Sequence, residues 1–242
     1  MGAKPLAAFL SLALPREMVR TAKGRKWLDG YLDGLQALAE RHGVTLAGGD
    51  TAESPSAHVL ADIVLLGTAP RGRALRRSGA RAGDAIYATG SLGGAAAELE
   101  RLLAKPTTRV APGAHPQLFP EPRLAVGQAL LRRRLATACI DLSDGLSSDL
   151  THLCQASGLR AEILEAALPL GARLELGLHG GEDYELLFTT SETAKVPRSI
   201  AGVRITRIGT MLRAETGEPV VRLVGVDGRA EAVEAGGWEH FG

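Results

Sequence analysis

The sequence predicts an α/β fold with mixed sheets, built in two parts that meet near residue 70. Three observations carry this expectation. Short runs rich in Ala, Val, Ile and Leu alternate with longer segments whose apolar residues recur at helical spacing. Several of those runs end in turns that combine glycine with an acid. Ala69-Pro70-Arg71-Gly72-Arg73 then interrupts the pattern as a junction would, dividing residues 1–70 from 71–242.

The elements follow in order. Leu6 to Leu14 is short, apolar and bounded by Pro5 and Pro15, which suits a buried strand. From Gly24 to His42 the residues Trp27, Leu28, Tyr31, Leu32, Leu35 and Leu38 mark one helix face, and Gly43 supplies its stop. Val44 to Ala47 reads as a strand ending in Gly48-Gly49-Asp50-Thr51, and His58 to Gly67 as the next strand. This is a plausible half of an α/β domain but a poor complete one. Beyond the junction, Asp84–Thr89 is a predicted strand, Gly90-Ser91-Leu92-Gly93-Gly94 a tight turn and Ala95–Leu103 a helix. The five prolines between residues 106 and 122 predict a long loop. Arg123–Leu135 is helical, Ala136–Leu142 is a strand, and a helix with Leu146, Leu150 and Leu153 on one face runs to Gly158. Tyr184–Thr190, Arg204–Ile208 and Val220–Val224 complete the predicted strands.

Composition narrows the function. Hydrophobic residues at 45% and charged residues at 23% suit a soluble globular chain, and aromatics at 4% leave the core to aliphatic side chains. A net charge of +1 offers no global attraction to nucleic acid or to a membrane surface, so phosphate binding would rest on local design. Cys139 and Cys154 are the only cysteines, too few for a zinc cluster, and their apolar neighbours mark them as core residues. No apolar run approaches the roughly 20 residues of a membrane span. Met1 to Leu10 suits a buried strand better than a signal sequence, and the expected location is the cytoplasm.

Three glycine- and acid-containing segments close predicted strands: Gly48-Gly49-Asp50-Thr51, Asp141-Leu142-Ser143-Asp144-Gly145 and Gly180-Gly181-Glu182-Asp183. An unpaired buried carboxylate costs several kcal/mol, so acids repeated at strand ends want a partner. Magnesium binds through one or two carboxylates and leaves its other positions to water and phosphates. A plainer reading stands beside it, since Asp and Gly are ordinary turn residues and Ser143 or Asp144 would serve to cap the next helix. Gly90 to Gly94 would either cradle a phosphate or permit close helix–strand packing. The basic run Arg76 to Arg81 fits phosphate binding and a solvated surface equally. Arg132-Arg133-Arg134 complements a helix C-terminus, and His179, beside the third segment, stays open.

Taken in order, these segments resemble thiamine-monophosphate kinases along nearly the whole chain. The matching stretches are Met1 to Pro5, Leu12 to Pro15, Gly48 to Thr51, Arg77 to Asp84, Tyr87 to Gly90, Ile140 to Leu146, Gly180 to Leu186 and Gly237 to Phe241. The resemblance implies a two-domain fold of the aminoimidazole ribonucleotide synthetase type, with an N-terminal ATP-binding domain that pairs in a homodimer. It implies Asp50, Asp141 and Asp144 as magnesium ligands. Gly49, Asp50, Arg77 and Ser143 would lie at ATP, and Glu182 and Trp238 at thiamine monophosphate. The acceptor is already an anion, so no general base is expected; positioning and magnesium would supply the catalysis.

The family carries a further N-terminal stretch with a Gly-Asp-Asp motif and another metal-binding aspartate. The first part is therefore expected to be an incomplete domain, and this chain to be weakly active or inactive alone. The competing readings are another ATP-using enzyme of the same superfamily, or a non-catalytic remnant that binds nucleotide or dimerises.

Overall fold

A computed structural model describes residues 2–105 and 118–238; the larger part of the proline-rich loop expected from 106 to 122 lies outside them. The chain forms two compact units, Ala3–Arg71 and a larger one from Gly72 onward that also includes Gly2.

The smaller unit comprises β1 (Lys4–Leu14), α1 (Arg16–Arg20), α2 (Ala22–Arg41), β2 (Thr45–Glu53) and β3 (Leu60–Thr68). Thr21 separates the two helices: its backbone is extended and its Oγ1 accepts the Gly24 amide at 3.0 Å, capping α2. The strands pair in the order β2-β1-β3, with β1 parallel to β2 and antiparallel to β3. Two expectations are corrected. Gly48-Gly49-Asp50-Thr51 is no turn, because β2 runs straight through it to Glu53. Its glycines serve a register shift in which Ala8 pairs with Leu46 but Phe9 with Gly48. A Cβ on Gly49, at φ 156, would lie 1.8 Å from the Leu10 carbonyl oxygen, so only glycine fits. Nor is β1 wholly buried: Ala8, Leu12 and Leu14 are covered while Leu6 and Phe9 are exposed.

The larger unit is a mostly antiparallel sheet with helices on it. Its elements are β4 (Ala85–Thr89), α3 (Gly94–Ala104), α4 (Leu124–Arg133), β5 (Ala138–Leu142), α5 (Leu146–Ser157), β6 (Leu159–Leu164), α6 (Leu174–His179), β7 (Glu185–Thr190), β8 (Ser199–Ile200), β9 (Val203–Arg213), β10 (Val221–Val224) and β11 (Ala230–Ala232). The strand order is β11-β10-β6-β9-β4-β7-β5, β8 pairs with β9, and only β6 and β10 run parallel.

Side-chain alternation along a strand sorts this core into two layers. Ile140 of β5 and Leu187 of β7 join Leu146, Leu150 and Leu153 of α5 on one face. Cys139, Leu186 and Phe188 join Val126, Ala129 and Leu130 of α4 on the other. Strands covered on both faces read as unbroken apolar runs, which is why β5 and β7 were legible. Both cysteines are free and fully buried, and burial pushes each thiol up to about 12.

Candidate functional site

The site grows from the end of β5. There the chain leaves the sheet after Asp141 and Leu142, turns through Ser143 and Asp144, and enters α5 after Gly145. Neither Ser143 nor Asp144 caps that helix. Asp149, one turn inside it, accepts the amides of Asp144 and Gly145 through Oδ2 at 3.1 and 3.2 Å. Asp149 is buried, and its carboxyl is pushed up to about 6, first by desolvation and then by the Asp144 and Asp141 carboxylates, against the pull of its two amide bonds. The cap is thus supplied from within, and Ser143 and Asp144 keep their side chains for the surface.

The segment 180–184 lies along this turn. Glu182 and Tyr184 donate their amides to the carbonyls of Ser143 and Leu142, each at 2.8 Å. Between them Asp183 points elsewhere, accepting the Gly93 amide at 2.7 Å and the Ala95 amide at 3.3 Å, at the start of α3. The Gly90–Gly94 turn therefore spends these amides on a protein carboxylate. A Cβ on Gly93 would lie 2.6 Å from the Gly177 nitrogen, so close packing accounts for this glycine. Desolvation pushes the Asp183 carboxyl up to about 6, with Glu185 adding to the rise and the amide bonds opposing it. Glu185 is itself buried in a bidentate pair with Arg123, at 2.8 and 2.5 Å, and accepts the Thr89 hydroxyl.

The C-terminal segment closes the arrangement. The amides of Gly236, Gly237 and Trp238 bond the Ser147 hydroxyl at 3.3 Å, the Ser148 hydroxyl at 3.1 Å and the Asp144 carbonyl at 3.1 Å. A Cβ on Gly237 would meet that carbonyl oxygen at 1.9 Å. His179, left open by the sequence, bonds the Ser147 hydroxyl through Nδ1 at 2.9 Å and so supports this strap.

Together these segments line a cavity of about 480 Å³ that gathers Ser143, Asp144, Glu182 and Trp238. Tyr184 and the α3 residues Ala95, Ala96 and Leu99 complete its wall. Asp141 stands one strand pair away, opposite Leu186, near enough that its charge acts on Tyr184 and Asp149. Arg77 is not in this group. Its carbonyl meets the Ser157 hydroxyl at the far end of the 12-residue α5, roughly 18 Å along the helix. Gly49 and Asp50 belong to the smaller unit, where Asp50 pairs across β1 with Ser11, and Ser11 with Asp62, at a cavity of about 460 Å³. Among the described residues no cluster of three or more metal-ligating side chains occurs.

Sequence reasoning missed Tyr184 and Asp149 as parts of the site, and, though it singled out the segment that holds Asp183, it missed that this carboxylate anchors the start of α3. A signal existed for Asp149, an acid in the first turn of a helix behind a glycine. For Tyr184 there was only its place in the matching Gly180–Leu186 stretch.

Residues 1–69 match the family of AIR synthase related proteins, N-terminal domain, and residues 81–216 the corresponding C-terminal domain. The thiamine-monophosphate kinase of Salmonella typhimurium is 39% identical over 100% of this chain and 75% of its own length. The chain belongs to the thiamine-monophosphate kinase family. A solved structure described as AaThiL complexed with AMPPCP and TMP superposes with a TM-score of 0.81 at 30% identity, covering 99% of this chain and 75% of that one. Escherichia coli HypE, a hydrogenase maturation protein, shares the fold, with a TM-score of 0.76 over 97% of this chain and 74% of its own, at only 18% identity. No helix among the described residues is long and apolar enough to cross a membrane.

Proposed function

We propose that this protein transfers the terminal phosphoryl group of ATP to the phosphate of thiamine monophosphate, giving thiamine diphosphate and ADP. The observation that carries this reading is the cavity in which Ser143, Asp144, Glu182 and Trp238 come together from three separate segments. Thiamine monophosphate is a flat cation at one end and an anion at the other. The indole of Trp238 and the carboxylate of Glu182 suit the cationic end. The phosphate end belongs at the positive end of α5, beside Ser143, which the family resemblance places at ATP and whose hydroxyl would then stand where the two phosphates meet.

Asp141 and Asp144 would repel that phosphate unless a cation intervened. Magnesium fits them, because two carboxylates are what it takes from a protein when phosphates and water complete its shell. Asp141 lies at the end of β5 and Asp144 follows it in the turn before α5, with the buried Asp149 hydrogen-bonded to the Asp144 amide, so three carboxyl groups gather around this turn. When bound, magnesium would supply charge neutralisation between two polyanions.

The chain's own contribution is positional. An oxygen of the acceptor phosphate is already ionised, so no side chain has to remove a proton. That oxygen forms a bond to the γ-phosphorus while the bond to the β–γ bridging oxygen breaks, its electrons leaving with ADP. Ser143 and the start of α5 hold the acceptor phosphate; Glu182 and Trp238 hold the ring, so the attacking oxygen arrives already oriented.

The family resemblance extends the reading to Gly49, Asp50 and Arg77 at the nucleotide, with Asp50 a further magnesium ligand. Residues 1–70 would then bind ATP and pair with a second copy, a role supported by the exposed Leu60, Ile63, Val64, Leu65 and Leu66 of β3. The two reduced, buried cysteines suit a cytoplasmic setting.

Calorimetric titration with thiamine monophosphate and with magnesium–AMPPCP tests the proposal. Saturable binding of both is expected, each strengthened by the other; absence of heat from both overturns it. In the full-length protein, with the family's N-terminal stretch present, Asp141→Asn is expected to weaken the apparent magnesium affinity in an ADP-release assay by at least about tenfold, with an unchanged unfolding curve. An unaltered magnesium titration would remove Asp141 from the site.

A further inference from the structure

We infer that Tyr184 makes this cavity selective for a cationic aromatic ring over a neutral ring of the same shape, acting as a second aromatic wall beside Trp238. The inference deepens the proposed function and rests on it. Family resemblance assigns the ring end to Glu182 and Trp238, with no role for Tyr184.

Four observations converge on Tyr184. It lines the same cavity as Trp238 and Glu182, yet comes from an independent segment of chain. Of the exposed aromatic residues Phe9, Trp27, Phe119, Tyr184 and Trp238, only Tyr184 and Trp238 line this cavity, whereas Tyr87 and Phe188 stack in the core. Its backbone has φ 49, a conformation glycine adopts at lower cost, and its amide is tied to the Leu142 carbonyl at 2.8 Å. Nothing in that backbone calls for an aromatic side chain, so its ring answers to the cavity. Finally, the carboxylate of Glu182 lines the same cavity, so the ring stands where a cation is drawn in.

The facing wall contributes the complementary property. Ala95, Ala96 and Leu99 of α3 present no polar side chain, and two of the three are as small as a side chain with a Cβ can be. A flat ring therefore has room, but nothing on that wall distinguishes a charged ring from a neutral one. The carboxylates attract any cation, including a hydrated metal. A ring face adds attraction for a cation lying flat against it, which is the discrimination a thiazolium requires.

The experiment compares calorimetric affinities for thiamine monophosphate and its deaza analogue, in which a neutral ring replaces the thiazolium. The protein, Tyr184→Phe and Tyr184→Gly would be titrated with both. Glycine suits the left-handed backbone, so Tyr184→Gly removes the ring without straining the fold, and its melting temperature checks this. We expect the parent protein to favour the cation by about tenfold or more. Tyr184→Phe should keep that preference, and Tyr184→Gly should reduce it several-fold, mainly through weaker binding of the cation, with Glu182 and Trp238 retaining the remainder. A Tyr184→Gly protein with the parent's preference overturns the inference while leaving the proposed function standing. A parent protein that binds neither ester overturns both.

Discussion

Glu182 and Tyr184 hold φ values of 65 and 49 on either side of Asp183. Each such conformation costs a non-glycine residue roughly 1–3 kcal/mol and persists only where surroundings enforce it. Here the enforcers are the amide bonds to Ser143 and Leu142 and the inward anchorage of Asp183. Replacing Glu182 by glycine should therefore raise stability by about 0.5–1 kcal/mol and weaken thiamine monophosphate binding. Urea denaturation and calorimetry measure the two effects; a drop in stability would mean that Glu182 contributes more to the fold than its backbone costs. At this scale the sequence marked the segment without sorting its members. Gly-Gly-Glu-Asp announces an unusual turn, but only the alternation of side chains along it turns Glu182 toward the cavity and Asp183 under α3.

Asp183 also shows how elements are joined. Its carboxylate caps α3 from about 90 residues away, a link no local pattern reveals. The titration of this carboxyl predicts a pH dependence. The folded value of about 6 lies above the roughly 3.9 of an unfolded aspartate. The folded state keeps a proton that the unfolded state releases, so the stabilisation is fully present below about pH 4. It is lost as pH rises through about 6, a change on the order of 3 kcal/mol. Asp183→Asn should flatten the fall in urea midpoint across that window, and an unaltered slope would assign it to another group. The same sort of remote coupling explains the elements that went unread. The six residues of α6 and the three of β11 are too short to show a period, and they are ordered by their neighbours. β6 did carry an alternation, with Ala161 and Ile163 buried between Arg160 and Glu162, and was legible in principle.

For the whole molecule, the two units differ in how completely they cover their apolar residues. Leu187, Phe188 and Ile140 in the larger one are wholly buried, whereas five apolar residues of β3 in the smaller one are 46–57% exposed. Uncovered strands open more readily than strands buried on both faces. Amide exchange is thus expected to be faster in β3 than in β7 at low protein concentration, and to slow in β3 as concentration rises and copies pair. Exchange in β3 that ignores concentration would argue against dimer formation through this unit.

The sequence alone determined the alternation of strands and helices, the junction near residue 70, and an ordered set of short motifs specific enough to point to one family. These are properties of neighbours in the chain, where hydrophobic period and turn chemistry act directly. Tertiary structure alone decided the order of the large sheet, the passage of β2 through its glycines, the capping of α5 by Asp149, and the place of Tyr184 beside Trp238. Each depends on groups distant in sequence competing for the same amides and the same space, and that competition is resolved only when the chain is packed.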